Sequence, residues 1–239
     1  SNFQSPLDTP LKEGIRVLDS GCGPATWLLE MCESYPQSDF YGIDISPMFP
    51  ENIKPHNVTF DIANVAEGLP FPDNHFDFVF QRLLVFALTA DQWEKAFREL
   101  IRVLKPGGWI EFVEVDVNAK RSGPLFSVIT ASMRHMLLSR DMVPNIGNKL
   151  EDYVILHHLD NMKVTTKDFP LKHGGKLGDL FWDDFSQVSY AVRPIVAASH
   201  PEWGSEENFS EFMYNCGEEC ALNQTSLTAI IVCAQKPLN

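Results

Sequence analysis

The sequence predicts an α/β protein built on a doubly wound sheet, and three observations carry that prediction. Ile15, Val17 and Leu18 form an apolar segment that ends in Asp19. A glycine turn follows, Ser20-Gly21-Cys22-Gly23-Pro24, and then a helix-like run, Trp27-Leu28-Leu29-Glu30-Met31. A second strand-like segment, Ser38 to Asp44, also ends in an acid, 21 residues beyond Gly23. Finally, Phe76-Asp77-Phe78-Val79-Phe80 is nearly all apolar, as expected of a strand covered on both faces.

The first strand and its turn place a helix N-terminus beside a strand end, where α/β sheets hold nucleotide-like ligands. Gly21 and Gly23 allow close backbone approach. A dinucleotide fingerprint would require glycine or alanine at position 26, and Thr26 stands there. The second strand brings Asp44 to a spacing at which a carboxylate can accept from both hydroxyls of a ribose; alternatively it opens the Ser46-Pro47 turn. Val58-Thr59-Phe60-Asp61 is a short third strand. Ala63 and Asn64 after it either meet an adenine edge or simply begin the loop that runs through Gly68-Leu69-Pro70-Phe71-Pro72-Asp73-Asn74. Gln81 and Arg82 stand at the end of the fourth strand.

Helix 91–101 follows, with apolar residues at 93, 96, 97, 100, 101 and 104 and an expected capping box of Asp91 with Glu94. Lys105-Pro106-Gly107-Gly108 turns into a fifth strand, 109–116. The expected order to this point is β-α-β-α-β-β-α-β. Beyond it, 123–158 reads as two helices broken near Val143-Pro144-Asn145, then a strand at 162–166 and a turn at 173–176. Helical segments at 177–198 and 206–220 precede a last apolar strand, 227–233. The whole reads as one domain, 1–239. Its cofactor core is 1–116, helical insertions at 117–160 and 170–222 form a lid over the ligand crevice, and 223–239 carries the final strand.

With 44% hydrophobic residues the chain can bury one large core. Its net charge of −13, without clustered Lys or Arg, argues against a nucleic-acid or anionic-membrane partner. No apolar run approaches the roughly 20 residues of a membrane span. The first residues lack the pattern of a signal peptide. Five cysteines without framework spacing suit a reducing compartment, so an intracellular location, cytoplasmic or nuclear, is expected. Cys216 and Cys220, four apart, read as ordinary thiols rather than a metal or redox pair, and no metal is expected.

Taken together, Leu18-Asp19-Ser20-Gly21-Cys22-Gly23, Tyr41-Gly42-Ile43-Asp44, Leu69-Pro70-Phe71-Pro72-Asp73 through Phe76-Asp77, and Arg102-Val103-Leu104-Lys105-Pro106-Gly107-Gly108 resemble the class I S-adenosylmethionine (SAM) methyltransferases. More narrowly, Gly42 to Pro47, Ile53-Lys54-Pro55, Val79 to Arg82, Gly107 to Glu111 and the 170–178 turn resemble fungal methyltransferase-domain proteins, among them regulators of secondary metabolism.

The resemblance implies a seven-stranded Rossmann-like sheet and SAM as cofactor. The cofactor would be held by Asp19, Ser20, Gly21, Cys22, Gly23, Asp44, Ile45, Ala63, Asn64 and Gln81. Ala25 stands where the third glycine of the motif is usual; a helical φ would tolerate its methyl, which could still crowd the methionine end of SAM. Relatives carry a helical segment upstream that closes over the cofactor, and residues 1–14 are short for it. Weaker SAM binding or an open crevice is the expectation.

Methyl transfer from a sulfonium is an in-line displacement, for which the protein mainly holds the reacting atoms in line. The SAM carboxylate would rest at the helix N-terminus after Gly23, and its ammonium against Asp19 or the Ser20 and Gly21 carbonyls. The catalytic base is unassigned, with Glu114 and Asp116 as candidates and His135, His157, His158 and His173 as weaker ones. Arg82, Glu114 and Trp182 are candidate substrate contacts, although Arg82 could equally sit in a structural ion pair, and Met133 and Met136 could line an apolar pocket or merely pack. The reading is methyl transfer to a small-molecule acceptor. The alternative is a non-catalytic SAM-binding or regulatory scaffold, for which a protein partner stays open. Thr26 and the 69–73 loop disfavour a nicotinamide oxidoreductase. Oligomeric state is not legible.

Overall fold

The computed structural model describes residues 2–50 and 54–238. Seven strands lie in the order β3-β2-β1-β4-β5-β7-β6. They are β1 (Arg16–Ser20), β2 (Asp39–Asp44), β3 (Val58–Ile62), β4 (Phe76–Arg82), β5 (Leu104–Lys120), β6 (Asp160–Pro170) and β7 (Ser226–Gln235). Strands β3, β2, β1, β4 and β5 pair in parallel. Gly107 donates to the Lys236 carbonyl while Lys236 donates to that of Gly108, so the start of β5 lies beside the end of β7 and that pair is antiparallel.

The helices are α1 (Asp8–Glu13), α2 (Thr26–Ser34), α3 (Ala90–Val103), α4 (Pro124–Leu138), α5 (Leu150–Leu156), α6 (Lys176–Ser189), α7 (Arg193–Ser199) and α8 (Glu206–Asn223). Two differences from the sequence expectation stand out. Among the described residues between β2 and β3 there is no helix, only bends and a turn, where Pro47, Pro50 and Pro55 interrupt the backbone hydrogen bonding. Conversely, α1 is a six-residue helix too short to show a period in sequence. Ile53, part of the fungal-type motif, lies outside the described residues.

The chain divides into two compact units. The first comprises Ser1–Glu114, Lys149–Thr165 and Ile231–Asn239. Its core on one face of the sheet joins Leu11, Val17, Trp27, Leu28, Phe40 and Phe78. Trp27 stacks on Phe80 with centroids 3.9 Å apart. On α3, Phe97 stacks on Phe112 of β5 and on Tyr153 of α5. Burying each such large side chain contributes on the order of 1.5–3 kcal/mol.

The α3 capping box is Thr89 with Gln92: the Thr89 hydroxyl accepts from the Gln92 N–H, and the Gln92 side chain accepts from the Thr89 N–H. The expected pair, Asp91 and Glu94, lies two residues too late. These acids instead pair with Lys95 and Arg98 on the exposed face.

The residues that carried the resemblance are largely tertiary staples. Arg102 donates to Glu99, to Asp73 and to the carbonyls of Leu69 and Phe71, pinning the 69–73 loop to α3. Asp77 accepts from the Arg16 N–H and from Lys105. Lys236 donates to the Ile101 and Leu104 carbonyls at the end of α3.

The second unit, Val115–Asn148 and Thr166–Ile230, is mostly helical. Helix α4 begins at Gly123 without a side-chain cap of its own. Glu219 of α8 accepts from the Leu125 and Phe126 N–H groups instead, where an added methyl at Gly123 would collide with it. Gly217 passes so close to the Trp182 ring that a Cβ would lie 2.9 Å from it. Cys216 and Cys220 are both fully buried on α8, and their mutual hydrogen bond, with burial behind it, pushes the Cys216 thiol pKa up. No helix of the described residues is long and apolar enough to cross a membrane.

Candidate functional site

The turn after β1 is tied to the end of β2. Gly21 and Cys22 both donate to the Ile43 carbonyl, at 2.8 and 2.9 Å, and the Gly23 N–H donates to Asp44 Oδ2 at 2.9 Å. The other Asp44 oxygen accepts from the Ser46 N–H, also at 2.9 Å. The acid therefore starts the turn at Ser46, one of the two roles open to it in sequence, and in addition holds the glycine loop. Each carboxylate oxygen keeps a second lone pair for a ligand.

Gly21 and Gly23 have φ of +71° and +53°. Ala25 is the unexpected member, because its φ is +63°, the left-handed region, and not the helical value that would tolerate its methyl. That is the conformation in which glycine carries no Cβ penalty, and it accounts for the usual glycine at this position. Ala25 forms the N-cap of α2 and offers no side-chain cap, so nothing in its own side chain satisfies the first N–H groups of that helix.

Asp19 is 3% exposed, and among the described residues no donor reaches its carboxylate. Burial pushes its pKa up to about 7, against the pull of the Arg82 guanidinium and with a further push from Asp44. Beside it, Ser20 donates to Gln81 Oε1 at 3.1 Å, and Gln81 Nε2 is buried without a partner. Cys22 is partly exposed; its thiol is pushed up to about 12 by burial and by the charges of Asp19 and Asp44, so it stays protonated.

A cavity of about 280 Å³ opens at the carboxyl ends of these strands. Gly21, Asp44, Ile45, Ala63 and Asn64 line it, half of the residues that the resemblance assigned to the cofactor. Ile45 and Met48 stand 67% and 66% exposed at its edge. Sequence reasoning missed Ser46, Met48, Val65, Leu84, Leu88 and Gln92. The last three come from the segment after β4, which no motif marked. The polar groups at Ala63 and Asn64 are partly engaged: the Ala63 N–H donates to the Asp44 carbonyl, while the Asn64 amide accepts from Ala66 and donates to Glu67.

Glu114 is fully buried at the β5 side of the first unit. Its oxygens accept from the Leu84 and Val85 N–H groups at 2.8 and 3.1 Å, fixing the loop after β4, where Leu83 has φ +57°. Burial raises its pKa to about 8, opposed by those two donors. Arg82 is exposed, and among the described residues no carboxylate lies within ion-pair distance of it. Another buried acid, Glu111, was not singled out in sequence. It accepts from the Gln4 and Ser5 N–H groups and from the Ser5 hydroxyl, fastening the N-terminal segment to β5.

In the second unit, Asp116 accepts from Asn118 and from Asn148. Trp182, Met133 and Met136 are all buried there. His135 and His158 are exposed, His157 stacks on Phe97 in the first unit, and His173 meets the Thr225 carbonyl. Among the described residues no three His, Cys, Asp or Glu are placed to hold a metal.

Five parallel strands in a mixed sheet, with a glycine turn after β1 and acids at the ends of β1 and β2, define a nucleoside-binding α/β protein. The comparisons take this to a family. A methyltransferase-domain family model matches residues 17–108. N-methyltransferase verN of Clonostachys rogersoniana is 32% identical over 240 residues, covering 83% of each chain. N-methyltransferase sirN of Leptosphaeria maculans is 32% identical over 144 residues, covering 60% of this chain but only 49% of sirN. Other fungal matches include secondary metabolism regulators. Among solved structures, Haemonchus contortus phosphoethanolamine N-methyltransferase 2 in complex with SAM superposes with a TM-score of 0.60 at 16% identity, over 96% of this chain and 50% of that one, a likeness of fold. The chain belongs to the class I SAM-dependent methyltransferases.

Proposed function

We propose that this protein transfers the methyl group of SAM to a small-molecule acceptor, with an amine nitrogen as the nucleophile. The observation that carries the reading is the cavity at the strand ends, lined by Gly21, Asp44, Ile45, Ala63 and Asn64. The relatives sirN and verN, both called N-methyltransferases, support nitrogen. SAM would lie with its ribose on Asp44 and its carboxylate at the uncapped start of α2. Its ammonium would neutralise the buried Asp19, and the donor left free on Gln81 would complete the site. The amine lone pair forms the N–C bond as the C–S bond breaks, and sulfur keeps the electron pair as S-adenosylhomocysteine. A neutral amine attacks without prior loss of a proton, so alignment rather than a strong base sets the rate. Arg82, exposed at the end of β4, remains the candidate for acceptor contact in the first unit, while Glu114 is taken up by the Leu84 and Val85 N–H groups. Unpaired thiols at Cys22, Cys32, Cys216, Cys220 and Cys233 support a reducing, intracellular setting.

The test is calorimetric titration with SAM, then a methyl-transfer screen of amine-bearing metabolites. We expect micromolar SAM binding, weakened at least tenfold by Asp44→Asn, and turnover with an amine. Absence of SAM binding by the native chain would overturn the reading. A second reading, a SAM-binding regulatory scaffold, is favoured by the engagement of Glu114 with backbone N–H groups, which leaves that acid committed to structure. SAM binding with no methylated product across the screen selects it.

A further inference from the structure

The cavity wall contributed by α3 carries a polar group that neither the motifs nor the resemblance assigned. Gln92 is the third residue of α3 and half of its capping box, and it also lines the cavity. Its Oε1 is held by the Thr89 N–H at 3.0 Å, which fixes which way the amide points. The two Nε2 hydrogens are given no acceptor by any described residue and remain for whatever fills the cavity.

Asn64, on the same cavity, is oriented by the same device. Its Oδ1 accepts from the Ala66 N–H at 3.0 Å, and one of its amide hydrogens goes to Glu67 at 2.9 Å, leaving the second free. Both side-chain amides therefore hold N–H donors free for the cavity, while their oxygens are each already turned to a backbone N–H. The surrounding wall is aliphatic, with Ile45, Val65 and Leu88. A flat apolar ring with acceptor atoms on its edge matches such a wall, because a donor edge would set N–H groups facing one another.

We propose that Gln92, together with Asn64, reads the ring-nitrogen acceptors of the purine of the cofactor, so that one side chain both caps α3 and determines base specificity. This rests on the SAM-binding reading above and adds to it the group that recognises the base. Coupling the two tasks has a consequence: the start of α3 and the base are ordered by the same amide.

The capping role can be separated from the reading role, because glutamate accepts the Thr89 N–H as well as glutamine does but brings no donor. The probes are S-adenosylhomocysteine and its 1-deaza, 3-deaza and 7-deaza analogues, each lacking one ring nitrogen, titrated calorimetrically into the native chain and into Gln92→Glu. For Gln92→Glu we expect an unchanged melting temperature and about tenfold weaker binding of S-adenosylhomocysteine. For the native chain, at least one deaza analogue should bind about tenfold more weakly than the parent, and that discrimination should disappear in Gln92→Glu. Equal binding of the parent ligand by both proteins overturns the proposal. So does equal binding of all three deaza analogues and the parent by the native chain, a result that needs no variant. Failure of the native chain to bind S-adenosylhomocysteine at all marks instead the failure of the underlying cofactor reading.

Discussion

Asp19 shows how a single residue links burial to ligand affinity. With a pKa of about 7 in the free protein, its carboxyl is half protonated near neutrality. On the proposed pairing with the SAM ammonium, the ionised form binds and the protonated form must first lose its proton. SAM affinity should therefore rise between pH 5 and pH 7, where the ammonium stays charged, by up to about tenfold per pH unit. Titration at three pH values checks this, and a flat profile would remove Asp19 from the ammonium site. Ala25 bears a different burden. Its left-handed φ costs about 1–2 kcal/mol, while its buried methyl returns about 0.8 kcal/mol. Ala25→Gly is accordingly expected to leave stability within about 1 kcal/mol of native, as read by urea unfolding, despite altering the motif residue. The sequence showed that position 25 departs from the motif, but not its φ, which the Ala25–Cys22 turn and the anchoring of the loop to β2 decide.

Among elements, the loop after β4 and the start of α4 are held by acids from distant parts of the chain. Removing Glu114 orphans the Leu84 and Val85 N–H groups, each worth about 1–3 kcal/mol when left buried and unpaired. Glu114→Ala should therefore destabilise the protein by several kcal/mol and accelerate amide hydrogen exchange at those two residues. The cap that Glu219 supplies to α4 is exposed to the same test at smaller scale: Glu219→Ala should cost about 0.5–2 kcal/mol and raise exchange in the first turn of α4. Strand and helix identities were legible because periodicity is local; β4, α3 and β7 fall close to where alternation and helical spacing put them. Which acid caps which element was not legible. Glu219 lies 94 residues from Leu125, and Glu114 30 residues from Leu84, and nothing in the local pattern marks either partner.

For the molecule as a whole, two buried carboxyls shape stability against pH. Burial raises the Asp19 and Glu114 pKa values to about 7 and about 8, from ordinary values of 3.8 and 4.5. A carboxyl whose pKa is raised on folding favours the folded state while protonated. The stability these two contribute is thus complete below about pH 4 and is lost as pH rises to about 8, at up to 1.36 kcal/mol per unit for each group. Thermal melts of the free protein between pH 5 and pH 8 should show this decline, and Glu114→Gln should reduce its slope to the part that Asp19 contributes. A melting temperature that climbs steadily with pH across this window would contradict the assignment.

What the sequence determined by itself was the α/β class, the glycine turn, the acids at the ends of β1 and β2, and through them the family. Each of these is written in contiguous residues whose periodicity and turn chemistry act over a few positions. The tertiary structure alone decided the antiparallel placement of β7 beside β5, the left-handed Ala25, and the conversion of Glu111, Glu114 and Glu219 into backbone clamps. It also decided that Leu84, Leu88 and Gln92 reach the cavity beside Asp44 and Asn64. These outcomes depend on which distant donors and acceptors meet once the sheet is assembled, and a buried carboxylate takes its role from the N–H groups that packing brings to it.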